Sequence, residues 1–112
     1  MLPFHIVEPI PVYRGDFWEQ EFRVVDSDDI PIDLSGVDWE SHWKQSTNSS
    51  KIISLSVYSA QESAGIIKIS ATSEQTIAMN GDGLFDIQRI VDGKIFTLCY
   101  GSTDYTWDIT YG

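Results

Sequence analysis

Apolar and polar side chains alternate along most of this chain, and that period of two limits the folds open to it. Trp18, Gln20, Phe22 and Val24 share one face of an extended segment, with Glu19, Glu21 and Arg23 on the other. Successive side chains of a β-strand point to opposite faces, so such a segment is a half-buried strand. Val37, Trp39, Ser41 and Trp43 repeat the pattern against Asp38, Glu40, His42 and Lys44. Ile53, Leu55 and Val57 give a third strand, and Ile67, Ile69 and Ala71 a fourth. Residues 84–91 and 94–100 read as strands joined by the hairpin turn Asp92-Gly93. After Gly101 a last strand carries Tyr105, Trp107 and Ile109 on one side.

Turn chemistry separates these segments. Gly15-Asp16 precedes the first long strand, and Asp26-Ser27-Asp28-Asp29 closes it. Pro31, Asp33 and Gly36 mark the next connection, and Ser46 to Ser50 form a polar loop. Thr72 or Ser73 can cap the free amides of one short helical turn, predicted over Ser73–Met79, and Gly81-Asp82-Gly83 ends it. Roughly eight short strands at this spacing predict an all-β fold. The expected architecture is an immunoglobulin-like antiparallel β-sandwich of about seven to eight strands, with two sheets burying their apolar faces against each other.

With 112 residues the chain holds one domain. Its content of 42% hydrophobic and 12% aromatic residues, four Trp among them, supplies a core. Trp18, Trp39 and Trp43 fall on the apolar faces. Pro3, Pro9 and Pro11 remove amide donors near the start, so residues 1–12 read as an extended Pro-rich N-terminal arm. It leads into an edge strand over residues 10–14, and residues 13–112 form the sandwich domain. The arm either lies along the domain's own edge or reaches a neighbour.

Seventeen acidic residues against seven basic ones give a net charge of −10. Such a surface repels phosphate backbones and anionic lipid heads, so neither nucleic acid nor membrane is an expected partner. The single cysteine, Cys99, forms no intrachain disulfide and sits in an apolar run as a small core residue. Met1 to His5 show no basic leader followed by a long apolar stretch, so no signal peptide or membrane span is expected.

Motifs for chemistry are weak. Arg14-Gly15-Asp16 spells an adhesion tripeptide, but Gly-Asp before a strand is foremost a turn. Counting a calcium loop from Asp26 puts Pro31 and Val37 where a Gly and a Glu are required. His5 and His42 stand near no zinc-spaced ligand, and His42 falls on the charged face of its strand. Glu19, Glu21, Asp38 and Glu40 read as solubilising outer-face acids. Nothing positions a nucleophile or a base, so no catalytic residue, metal or cofactor is expected.

Tyr13-Arg14-Gly15-Asp16-Phe17 before an alternating strand is followed by Pro31-Ile32-Asp33-Leu34-Ser35-Gly36. Gly65-Ile66-Ile67-Lys68-Ile69, Thr72 to Thr76, Gly83-Leu84-Phe85-Asp86-Ile87-Gln88, Gly93 and Leu98 to Gly101 complete the series. In order and spacing it resembles the immunoglobulin-like domains of phage tail and baseplate proteins, of the upper-baseplate N-terminal type. The resemblance implies a virion structural protein, a tail or baseplate assembly or connector module. It would be made in the host cytoplasm and localised to the virion, with other virion proteins and copies of itself as partners. The Pro-rich arm departs from the family, and no receptor-binding or trimerising region follows the module in this sequence. Decoration of a capsid by the same fold therefore stays open.

Contacts in such a role fall to the arm, through Phe4, Ile6, Val7, Ile10 and Val12, and to the last strand, through Tyr105, Trp107 and Tyr111. An extended arm can add a strand to a neighbour's sheet edge. Removing residues 1–11 is expected to leave a folded monomer that no longer joins particles. Two other functions are compatible with the residues. One is an acidic inhibitor or host-takeover protein, from the net charge. The other is a carbohydrate-binding module using Tyr105, Trp107 and Tyr111.

Overall fold

A computed structural model describes residues 4–26, 28–34, 37–61 and 65–106. Trp107, Ile109 and Tyr111, and the Ser35-Gly36 connection, lie outside the described residues. The elements are β1 (Phe4–His5), β2 (Ile10–Tyr13), β3 (Trp18–Arg23), β4 (Asp38–Lys44), β5 (Ile52–Gln61), β6 (Ile66–Ala71), α1 (Ser73–Met79), β7 (Gly83–Val91) and β8 (Lys94–Thr106).

The strands run in the order β1-β8-β7-β4-β5-β6-β3, with β2 also on β8. β5 turns this path into a sandwich. Its first residues, Ile52 to Leu55, pair with β4, and the stretch from Ser56 onward pairs with β6. One layer is thus β8, β7, β4 and the start of β5; the other is the rest of β5, β6 and β3. In immunoglobulin lettering β3, β6 and late β5 are B, E and D, and β4, β7 and β8 are C, F and G. The fold is an immunoglobulin-like β-sandwich. All pairings are antiparallel except those of β1 and β2, which run parallel to β8.

Alternation carries through to packing. Trp43, Leu55, Ile67, Ile69, Phe85 and Ile87 point inward from four strands and are buried. Trp18 joins them, and Trp39 packs half-buried at the core's margin. Cys99 is fully buried, as its apolar neighbours imply. Trp43 carries a polar atom inward, and its Nε1 donates to Thr103 Oγ1 at 2.8 Å. Gly83 makes this possible, because a Cβ there would stand 2.3 Å from the Trp43 ring.

Two features of β8 depart from strict alternation. Gly101 does not divide it into two strands; β8 is continuous over Lys94–Thr106. Gly101 instead makes room, since a Cβ there would lie 3.0 Å from Phe85 and 3.1 Å from Ile6. The ladder also shifts between Ile87↔Cys99 and Gln88↔Thr97, which leaves Leu98 as the extra residue of a β-bulge. Leu98 and Cys99 are consequently both buried, although adjacent.

Local signals hold at the turns. Asp92 and Gly93 have φ of 50° and 77°, the pair of positive angles that a tight type I′ hairpin requires. Thr72 caps α1: its Oγ1 accepts from Gln75 N at 3.1 Å, and Thr72 N donates back to Gln75 Oε1 at 2.9 Å. This reciprocal pair is a capping box. α1 ends at Asn80 in the left-handed region.

Candidate functional site

Thr76, fully buried on α1, ties the β2–β3 turn to the body. Its Oγ1 accepts from Gly15 N at 3.1 Å and lies 2.9 Å from Asp16 O and 3.0 Å from Ser73 O, either of which can take its proton. The Arg14-Gly15-Asp16 segment is thus a turn pinned to a helix. Asp26 Oδ1 accepts from the amides of Asp28 and Ile30, closing its own turn. No group of three or more His, Cys, Asp or Glu among the described residues could hold a metal. Among the described residues no helix is long and apolar enough to cross a membrane.

The acids expected on outer faces are dispersed. Glu19 and Glu21 lie on β3, which pairs with β6, while Asp38 and Glu40 lie on β4 between β5 and β7. Glu19 is met by Lys68 Nζ at 3.7 Å. Burial pushes the Cys99 thiol up to about 12, and the charge of Asp86 adds to this. A thiol held protonated is neither nucleophile nor metal ligand.

The contact residues expected from the sequence divide into three groups. Ile10 and Val12 are buried in the domain's own core, 7% and 0% exposed. They cannot be contact residues for a neighbour, because β2 lies along β8 of the same chain with Ile10 against Thr103 and Val12 against Tyr105. Ile6 packs on that core, and its amide donates to Tyr100 O at 2.9 Å. Tyr105 also packs inward, with its OH donating to Thr76 O at 2.7 Å. Burial raises its pKa above the ordinary value. Phe4 and Val7 are exposed, Val7 at 78%. Trp107 and Tyr111 lie outside the described residues.

Phe4, on β1, lies beside Cys99 of β8, and lower on the same strand are two residues that alternation did not single out. Ile95 and Phe96, at the base of β8, are 60% and 44% exposed. Among the described residues no strand pairs with the outer edge of 94–97, since β1 meets β8 only at Cys99 and Tyr100. This leaves free amides and carbonyls beside exposed apolar side chains. Phe96 is braced from β7 by Arg89, whose guanidinium lies 5.5 Å from the ring centroid.

A second feature lies on the outer face of the β8-β7-β4 layer. The registers Ser54↔His42, His42↔Asp86, Asp86↔Tyr100 and Tyr100↔His5 place one polar row across five strands. Both histidines are in it. His5 stacks on Tyr100, with centroids 5.0 Å apart and planes 15° from parallel. His42 Nε2 is 3.2 Å from Glu40 Oε1. Between Tyr100 and the β4 side chains runs a groove of about 310 Å³, lined by His42, Lys44, Leu84, Asp86, Tyr100 and the 46–47 loop. Strand parity puts each of these side chains outward; only the pairing registers bring them together.

No family model and no curated protein matches this chain. Among solved structures it is similar to the crystal structure of the Lin-41 filamin domain. The TM-score is 0.44 with 16% identity, over 86% of this chain and 82% of that one. The assignment as an immunoglobulin-like module rests on the strand order given above.

Proposed function

We propose that the chain is a non-enzymatic virion structural module, a phage tail or baseplate assembly or connector part that works by protein–protein contact. One observation carries the reading: Ile95 and Phe96 stand exposed at the base of β8, beside the outer backbone edge of residues 94–97, with which no described strand pairs. An extended segment of another virion protein, or of a second copy, adds to such an edge through main-chain hydrogen bonds. The motif series from Tyr13 to Gly101 supports the choice of a phage particle. Glu19 and Glu21 lie on a different layer from Asp38 and Glu40, which weighs against a nucleic-acid mimic built from these four acids on one face.

Particle assembly tests this. Ile95→Lys and Phe96→Lys are expected to leave a folded monomer that is missing from purified particles, as read by mass spectrometry. Normal incorporation of the double variant would exclude this edge as the contact. Absence of the unaltered chain from particles would exclude the virion role altogether.

A further inference from the structure

We propose that the outer-face groove between Tyr100 and Lys44 binds a neutral pyranose sugar. Tyr100 forms one wall. His5 covers one face of its ring at 5.0 Å, which leaves the other face turned across β7. His42 and Lys44 on β4 form the opposite wall, and Leu84 and Asp86 on β7 form the floor. Adjacent strands are about 4.8 Å apart, so the walls stand about 10 Å from each other. A ring stacked about 4 Å from Tyr100 leaves about 6 Å for hydroxyls and their hydrogen bonds to the far wall.

The polar chemistry of the groove selects the ligand class. Asp86 Oδ1 is buried and has no hydrogen-bond partner. A buried carboxylate oxygen left unpaired calls for a donor. Lys44, on the opposite wall, offers N–H donors, and His42 adds a ring nitrogen that can accept, its Nε2 facing Glu40. Sugar hydroxyls both donate and accept, so one sugar answers Asp86 and the β4 wall together. A cationic ligand would meet Lys44 unfavourably, and an acidic one would meet Asp86 under a net charge of −10. The exposed Tyr100 ring and Leu84 supply the apolar platform that a pyranose face covers. The groove is shallow and built on three rigid strands, which suits the end of a glycan chain.

The test is an amide-shift titration of the full chain by NMR with methyl glucoside, methyl galactoside and methyl N-acetylglucosaminide. At least one is expected to shift the amides of residues 42–47, 84–86 and 100–102, with a dissociation constant on the order of 1 mM. Tyr100→Ala is expected to weaken binding at least tenfold (about 1.4 kcal/mol), and Tyr100→Phe to preserve it, because stacking needs the ring and not the hydroxyl. Asp86→Asn and Lys44→Ala weaken it without loss of fold. No shift from any of the three at about 100 mM, or undiminished binding by Tyr100→Ala and Lys44→Ala, would overturn the proposal. Ile95→Lys should leave the sugar response intact, so this site and the strand-edge contact can fail separately.

Discussion

Gly83 lacks a side chain where Trp43 needs the space. Gly83→Ala would set a methyl 2.3 Å from the indole, and the ring could escape only by giving up its bond to Thr103. Overpacking of this kind costs about 1–3 kcal/mol, which a urea midpoint would register. Cys99 makes a pH-dependent contribution. Its folded value of about 12 lies above the ordinary 9.0, so the unfolded chain releases the thiol proton first. The stability this confers is whole below pH 9 and falls as pH climbs toward 12. The unaltered protein should therefore lose stability relative to Cys99→Ala over that interval, followed by denaturant unfolding. In the native state below it, Cys99 should resist thiol reagents.

Among the elements, α1 depends most on individual hydrogen bonds. Seven residues are too few to hold a helix by propensity alone, so the capping box and the Thr76 contacts fix it. Thr72→Ala is expected to lower stability by about 1 kcal/mol, with Thr72→Ser close to neutral. Thr76→Val leaves Gly15 N without its acceptor and should cost about 1–3 kcal/mol, with the larger drop in thermal midpoint. The sequence offered Thr72 or Ser73 as the cap, and the structure assigns it to Thr72 with Gln75 returning the bond. Thr76 did not stand out, because its partners Gly15, Asp16 and Tyr105 lie 61, 60 and 29 residues away.

At the scale of the whole molecule, the N-terminal segment is part of the sandwich. Ile10 is in the core, and β1 and β2 pair with β8. Removing residues 1–11 therefore does more than delete a contact arm. It empties the site of one buried isoleucine and exposes the Cys99–Asp104 edge. The truncated protein should lose at least about 2–5 kcal/mol, measured by denaturant unfolding, before any question of assembly arises. Two margins of the sandwich also differ. β3 presents Glu19, Glu21 and Arg23, charges that discourage pairing, whereas the base of β8 presents Ile95 and Phe96. This contrast is why the proposed contact is placed on the β8 margin.

Strand identity and facing were local properties: a period of two in side-chain polarity specifies which residues of β3, β4 and β6 point inward, whatever lies across from them. The type I′ turn at Asp92-Gly93 and the cap at Thr72 were local in the same sense, because each is satisfied within four residues. Register was not. The bulge at Leu98, the parallel seat of β1 and β2, and the passage of β5 from one layer to the other depend on how distant segments meet. So does the groove, since alternation put His42, Asp86 and Tyr100 outward one by one, and only strand pairing set them side by side.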